Sequence, residues 1–120
     1  MAHILIIDDD KDFRIMLQEM LEREGYTVSS ASDGNEGINL FNDKPADLII
    51  TDIIMPEKEG LETIFALHRD YPQLKIFAIS GGGRSHPGNY LITAKHFGAM
   101  KTFTKPFNKD ELLGAIREVI

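Results

Sequence analysis

The sequence predicts a single α/β domain, an open five-stranded parallel sheet with helices on both faces. Two observations lead there. Short apolar runs alternate with segments of helical period five times along the chain, and strands joined by crossover helices make a parallel sheet. Three of the runs are apolar at consecutive positions, as suits strands covered on both faces. The 120 residues fit one domain, 1–120, with no linker, repeat or low-complexity segment to divide them.

The first strand is HILIID (3–8). A helix over Asp12–Glu24 follows, with Phe13, Met16, Leu17, Met20 and Leu21 at helical spacing and Gly25 to end it. YTVSSA (26–31) is the second strand, and a short helix over Asn35–Asp43 places Ile38 and Phe41 on one face despite Gly37. DLIITD (47–52) is the third strand. The next helix groups Leu61, Ile64, Phe65 and His68 and stops before Pro72. KIFAIS (75–80) is the fourth strand, and the Gly-rich stretch SGGGRSHPGN (80–89) leads to a helix over Pro87–Phe97 closed by Gly98. KTFTK (101–105) is the fifth strand. The last helix starts at Asn108, a good N-cap, and buries Leu112, Leu113, Ile116, Val119 and Ile120.

A hydrophobic content of 42% suffices for a core, and a net charge of −6 argues against nonspecific binding to nucleic acid or anionic lipid. Without cysteine there is no disulfide or thiolate metal site, which suits a reducing compartment. The opening MAHILIIDDD has too short an apolar run for a signal peptide or membrane span. The expectation is a cytoplasmic protein without nucleic-acid or membrane partners.

Parallel strands all end on one edge, where ligands bind. That edge collects Asp8, Asp9 and Asp10 from strand one, Asp52 from strand three, Ser80 from strand four and Lys105 from strand five. Two carboxylates about 4 Å apart repel by on the order of 4 kcal/mol at an effective dielectric near 20. A cation among them relieves this, and hard oxygen donors without His or Cys favour Mg²⁺ or Mn²⁺. Acids, a divalent ion, a lysine and a hydroxyl suit a phosphoryl group, and an Asp carboxylate can itself be the nucleophile. His3, His68, His86 and His96 lack metal-ligand spacing and read as surface or partly buried residues.

With DDD after strand one, DIIMPEKEG around Asp52, IS at Ser80 and TKPF at 104–107, the chain resembles a response-regulator receiver domain of two-component signalling, similar to chemotaxis receivers. Each motif is weak alone; their order at four strand ends is specific. The resemblance implies a flavodoxin-like (βα)5 fold with strand order 2-1-3-4-5. It implies Asp52 as phosphoacceptor, Asp8 and Asp9 as the acidic pair, and Lys105 as the contact to the phosphoryl oxygen. Asp8, Asp9, Asp52 and the backbone carbonyl of Ile54 would hold Mg²⁺. Ser80 resembles the switch hydroxyl and Phe103 the switch aromatic. The Lys105–Pro106 bond is typically cis in this family. The implied partners are a histidine kinase or histidine phosphotransfer protein, docking near Arg14, Ile15 and Pro106. Downstream stand a protein target or an output domain outside these residues, and a possible dimer through helix 4, strand 5 and helix 5.

The chain departs from the family at three places. Ser80–Gly98 is long by about a turn, which reads as an insertion at Gly81–Gly83. Phe103 has no hydroxyl. Ile54, like Gly82, offers no polar side chain to align a water, so slow loss of the phosphoryl group is expected. One rival is a haloacid-dehalogenase-type phosphatase using the D-x-D pair Asp8 and Asp10; another is a flavin-binding module of the same architecture. Plainer readings make Asp10 or Asp12 a helix cap, Ser80 a turn residue and Phe103 ordinary core.

Overall fold

The computed structural model describes residues 2–53, 59–80 and 94–120. Strands β1 (His3–Ile7), β2 (Thr27–Ala31), β3 (Leu48–Asp52), β4 (Lys75–Ser80) and β5 (Lys101–Thr104) form one parallel sheet in the order β2-β1-β3-β4-β5. The helices are α1 (Lys11–Arg23), α2 (Gly34–Asp43), α3 (Glu59–Asp70), a helical segment at 94–97 taken as α4, and α5 (Lys109–Val119). The fold class and strand order are those expected from the sequence. The expected Gly81–Gly83 insertion, the start of the Pro87–Phe97 helix, Ile54 and Gly82 lie outside the described residues.

Local chemistry sets the helix ends. Asp10 caps α1, accepting from the Asp12 and Phe13 amides at 3.0 and 3.2 Å. Asp33 and Asn108 do the same for α2 and α5. Gly25 and Gly98 follow helices with φ of 94° and 132°, a conformation that favours glycine.

Alternation along the strands splits the core in two. Ile4 and Ile6, Leu48 and Ile50, Phe77 and Ile79, and Phe103 pack with Leu17, Met20 and Leu21 of α1 and Leu112, Leu113 and Ile116 of α5. Leu5, Ile7, Ile49, Ile76 and Ala78 join the other core, with Phe41 of α2 and Ile64 and Leu67 of α3. Central strands are apolar at most positions because both faces are covered. Two helix faces differ from expectation. Met16 and Phe65 are 46% and 51% exposed. Each neighbours a core residue in the chain, Leu17 after Met16 and Ile64 before Phe65, and so lies one step of about 100° around the helix from it. The α3 face is instead completed by Leu67. Val119 and Ile120 are only half-buried.

Helix α3 starts directly against the end of β3. A Cβ on Gly60 would stand 2.2 Å from the Asp52 carbonyl oxygen and 2.5 Å from the Ile53 Cα. Both are backbone atoms at the end of the ladder, where the Ile53 amide donates to the Ile79 carbonyl at 3.1 Å, so they yield little. Gly60→Ala is expected to lower the unfolding free energy by about 2–3 kcal/mol in urea titration. A loss below about 0.5 kcal/mol would mean that α3 slides freely on the sheet.

Candidate functional site

Strand alternation decides which side chains meet at the C-terminal edge. Asp8 continues the row of Ile4 and Ile6, Asp52 that of Leu48 and Ile50, and Lys105 that of Phe103, all on the α1/α5 side. β1 and β3 are neighbours, with Ile7 opposite Thr51, so Asp8 and Asp52 leave the sheet side by side. Lys105 starts beyond β4, its amide donating to the Ser80 carbonyl at 2.7 Å. The preceding strand ends at Thr104, and the Lys105–Pro106 peptide is cis.

The lysine stem reaches back past β4. Its Nζ donates to Asp8 Oδ2 at 2.8 Å and Asp52 Oδ2 at 3.2 Å. Asp8 and Asp52 are 1% and 5% exposed. Burial, the largest influence, disfavours the charge on Lys105. The hydrogen bond to Asp8, the charges of Asp52 and Asp8 and the bond to Asp52 outweigh it together, so the lysine pKa is raised. Asp8 is braced further: its Oδ1 accepts from the Asp10 amide at 2.8 Å and its carbonyl from Arg14 Nη1 at 2.7 Å. The Thr51 hydroxyl donates to the Asp52 carbonyl at 3.0 Å. The Lys105 ammonium also lies over the Phe13 ring, 3.9 Å from its centroid.

Asp9 is exposed, and its carboxylate joins those of Asp8 and Asp52, with one oxygen from each lying within 4.8 Å of the others. Three carboxylates against one ammonium leave a formal excess of two negative charges, which a divalent cation would cancel. An all-oxygen donor set with no His or Cys fits an ion of the Mg²⁺ kind. The Asp8/Asp10 reading is not favoured by the geometry. Asp10 is committed to the α1 cap and stands outside the clustered carboxylates.

Ser80 ends β4, one residue beyond Ile79, the register partner of Asp52, and is fully buried. Phe103 is 8% exposed, its ring 5.5 Å from that of Phe77, so it already points inward. Of the residues expected at a docking surface, Arg14 is half-buried and donates to the Asp8 carbonyl, Ile15 is 47% exposed and Pro106 is exposed. His3 is more buried than expected, its Nε2 2.8 Å from Ser29 Oγ and its Nδ1 3.2 Å from the Pro45 carbonyl. No local pattern in the chain pairs Phe13 with Lys105. Phe13 sits one turn after the acids, but the lysine reaches it from the far end of the chain. A cavity of about 920 Å³, lined by Phe41, Tyr71, Leu74 and Val119 among others, lies at the opposite edge of the sheet.

Known proteins share this sequence pattern and fold. The family model described as "Response regulator receiver domain" matches residues 4–117. The transcriptional regulatory protein CpxR of Escherichia coli K12 is 33% identical over 120 residues, covering 100% of this chain and 50% of that protein. The chain thus spans about half the length of this curated relative, and only 26% of the transcriptional regulatory protein GlrR from the same organism, to which it is 32% identical over 99% of its own length. Among solved structures, a response regulator receiver domain protein from Clostridium thermocellum superposes with a TM-score of 0.89 at 30% identity, covering 100% of this chain and 94% of the other. The response regulator TrrA of Thermotoga maritima, solved in complex with Mg²⁺–BeF, superposes with a TM-score of 0.86 at 32% identity over 100% of both chains. Among the described residues, no helix is long and apolar enough to cross a membrane.

Removing the ammonium would strand two carboxylates that water hardly reaches. Lys105→Met is expected to cost about 3 kcal/mol of stability at neutral pH. Urea titration checks this, and an unchanged midpoint would show that the acids do not depend on the lysine.

Proposed function

The chain belongs to the response-regulator receiver family of two-component systems, and on that premise we propose that it is a phosphorylation-dependent switch with Asp52 as the acceptor. The observation that carries this reading is Lys105 bonded at once to Asp8 and Asp52, with Asp9 alongside. The phosphoryl donor is a phosphohistidine on a histidine kinase or histidine phosphotransfer protein. An Asp52 oxygen attacks phosphorus, the P–N bond breaks, and the imidazole leaves with the electron pair and takes up a proton. Lys105 offers its charge to a phosphoryl oxygen in place of Asp52. Asp8, Asp9, Asp52 and the Ile54 carbonyl are the residues that would hold Mg²⁺, which when bound neutralises negative charge at the transferring group.

Ser80 and Phe103 are the proposed readout. The Ser80 hydroxyl turns to the new phosphoryl group, and β5 and its neighbours adjust. Because Phe103 is already buried, the change is a repacking against Phe77 rather than a swing from solvent. The donor docks beside the site, where Ile15 and Pro106 are exposed. The output side is the α4–β5–α5 face, where a groove of about 510 Å³ runs past Lys95, Phe103, Gly114 and Glu118. It is taken up by a downstream protein, an output domain or a second copy, and the whole operates in the cytoplasm. The resulting protein is a self-phosphorylating receiver rather than an enzyme that turns over an external substrate.

Acetyl phosphate with Mg²⁺ is expected to add one phosphoryl mass to the wild type and none to Asp52→Asn, by intact-protein mass spectrometry. Equal labelling of the variant would remove Asp52 as acceptor. In calorimetric titration, Asp9→Ala should weaken Mg²⁺ at least about tenfold. Asp10→Ala should leave Mg²⁺ affinity within about threefold, while costing about 1 kcal/mol of stability through the lost cap. The opposite ranking would place the ligands one residue away.

A further inference from the structure

We propose that Phe13 is a positioning residue for Lys105, whose ring face keeps the ammonium at the site when its carboxylate bonds are exchanged for a phosphoryl oxygen. The inference rests on the phosphoacceptor reading and adds a residue to it.

An ammonium has three N–H donors, and two of those on Lys105 are taken by Asp8 and Asp52. The Phe13 ring covers a further side of the same nitrogen, 3.9 Å from centroid to Nζ. That is well inside the distance at which a ring quadrupole attracts a cation, and the attraction strengthens where water is scarce. The Lys105 side chain is 20% exposed.

The ring itself is held from three directions. Its amide donates to Asp10 Oδ1 at 3.2 Å, in the cap that starts α1. The Asp10 amide in turn donates to Asp8, so the ring and the acid are fixed by one loop. Phe107, two residues after Lys105, meets Phe13 edge to face, with centroids 6.0 Å apart and planes at 88°. The Phe13 side chain also packs on the core shared by α1 and α5.

What distinguishes the ring from the carboxylates is its tolerance of movement. A hydrogen bond weakens steeply with misalignment, whereas a cation can shift across a ring face and keep most of its attraction. When Asp52 becomes an acyl phosphate, one partner of Lys105 changes its charge and position. The ring does not. It limits the exchange to a short displacement, instead of release of a flexible lysine into solvent.

The test follows acetyl phosphate labelling of Asp52 at saturating Mg²⁺ in wild type, Phe13→Leu, Phe13→Met and Phe13→Tyr. Leu and Met keep an apolar side chain without a π face; Tyr keeps the face. The maximal rate is expected to fall about fivefold to twentyfold in Leu and Met and to return to within about twofold of wild type in Tyr. In the proton NMR spectrum, the ring-current shift of the Lys105 ε-methylene should vanish in Leu and Met and persist in Tyr, a signature that loss of packing alone would not give. Wild-type rates in Leu and Met, or a Tyr variant as slow as Leu, would overturn the role of Phe13 while leaving Asp52 as acceptor. An unlabelled wild type would overturn both.

Discussion

One ammonium group ties three strands together at the C-terminal edge of this sheet. Lys105 leaves the end of β5, passes β4 and bonds carboxylates at the ends of β1 and β3. Two acids that water hardly reaches sit side by side with a cation bonded to both. The rest of the local structure serves this contact. Arg14 and the Asp10 amide brace Asp8, Thr51 braces the Asp52 backbone, and the Ser80 carbonyl anchors the Lys105 amide.

The geometry depends on the sheet as much as on the charges. Period-two alternation puts Asp8, Asp52 and Lys105 on the rows of Ile6, Ile50 and Phe103, so a slip of one residue in any of these strands would send a site residue to the other face. Both faces of the central strands carry apolar side chains, so such a slip would exchange the rows between the two cores. Gly60 completes the support by letting α3 press on the Asp52 carbonyl without a side chain between them.

Much of this was legible in the sequence because it depends on local pattern. Apolar runs located the strands, Asp10 and Asn108 signalled helix starts, and the acids and lysine at strand ends marked the edge where they would converge. Other features escaped for identifiable reasons. Met16 and Phe65 face away from the core that their spacing suggests, since an apolar residue beside a core position looks the same in a periodicity count whether it faces in or out. The ring of Phe13 under Lys105 joins residues at opposite ends of the chain, and no local pattern encodes that. Nothing in the neighbours of Arg14 marks the Asp8 carbonyl as its partner.

The two cores flanking the sheet give the molecule unequal halves. The side chains of Asp8, Asp52 and Lys105 prolong the rows that belong to α1 and α5, while α2 and α3 rest on the opposite rows. A closely packed interior passes strain best along direct contacts, and a layer of hydrogen-bonded backbone stands between the halves. On the phosphoacceptor reading, a change of charge at the edge would press first on Ile50, Ile79, Phe77 and Phe103, and through them on α5. The sheet works as a bulkhead: one side of the molecule takes up the load, and the other holds the frame still.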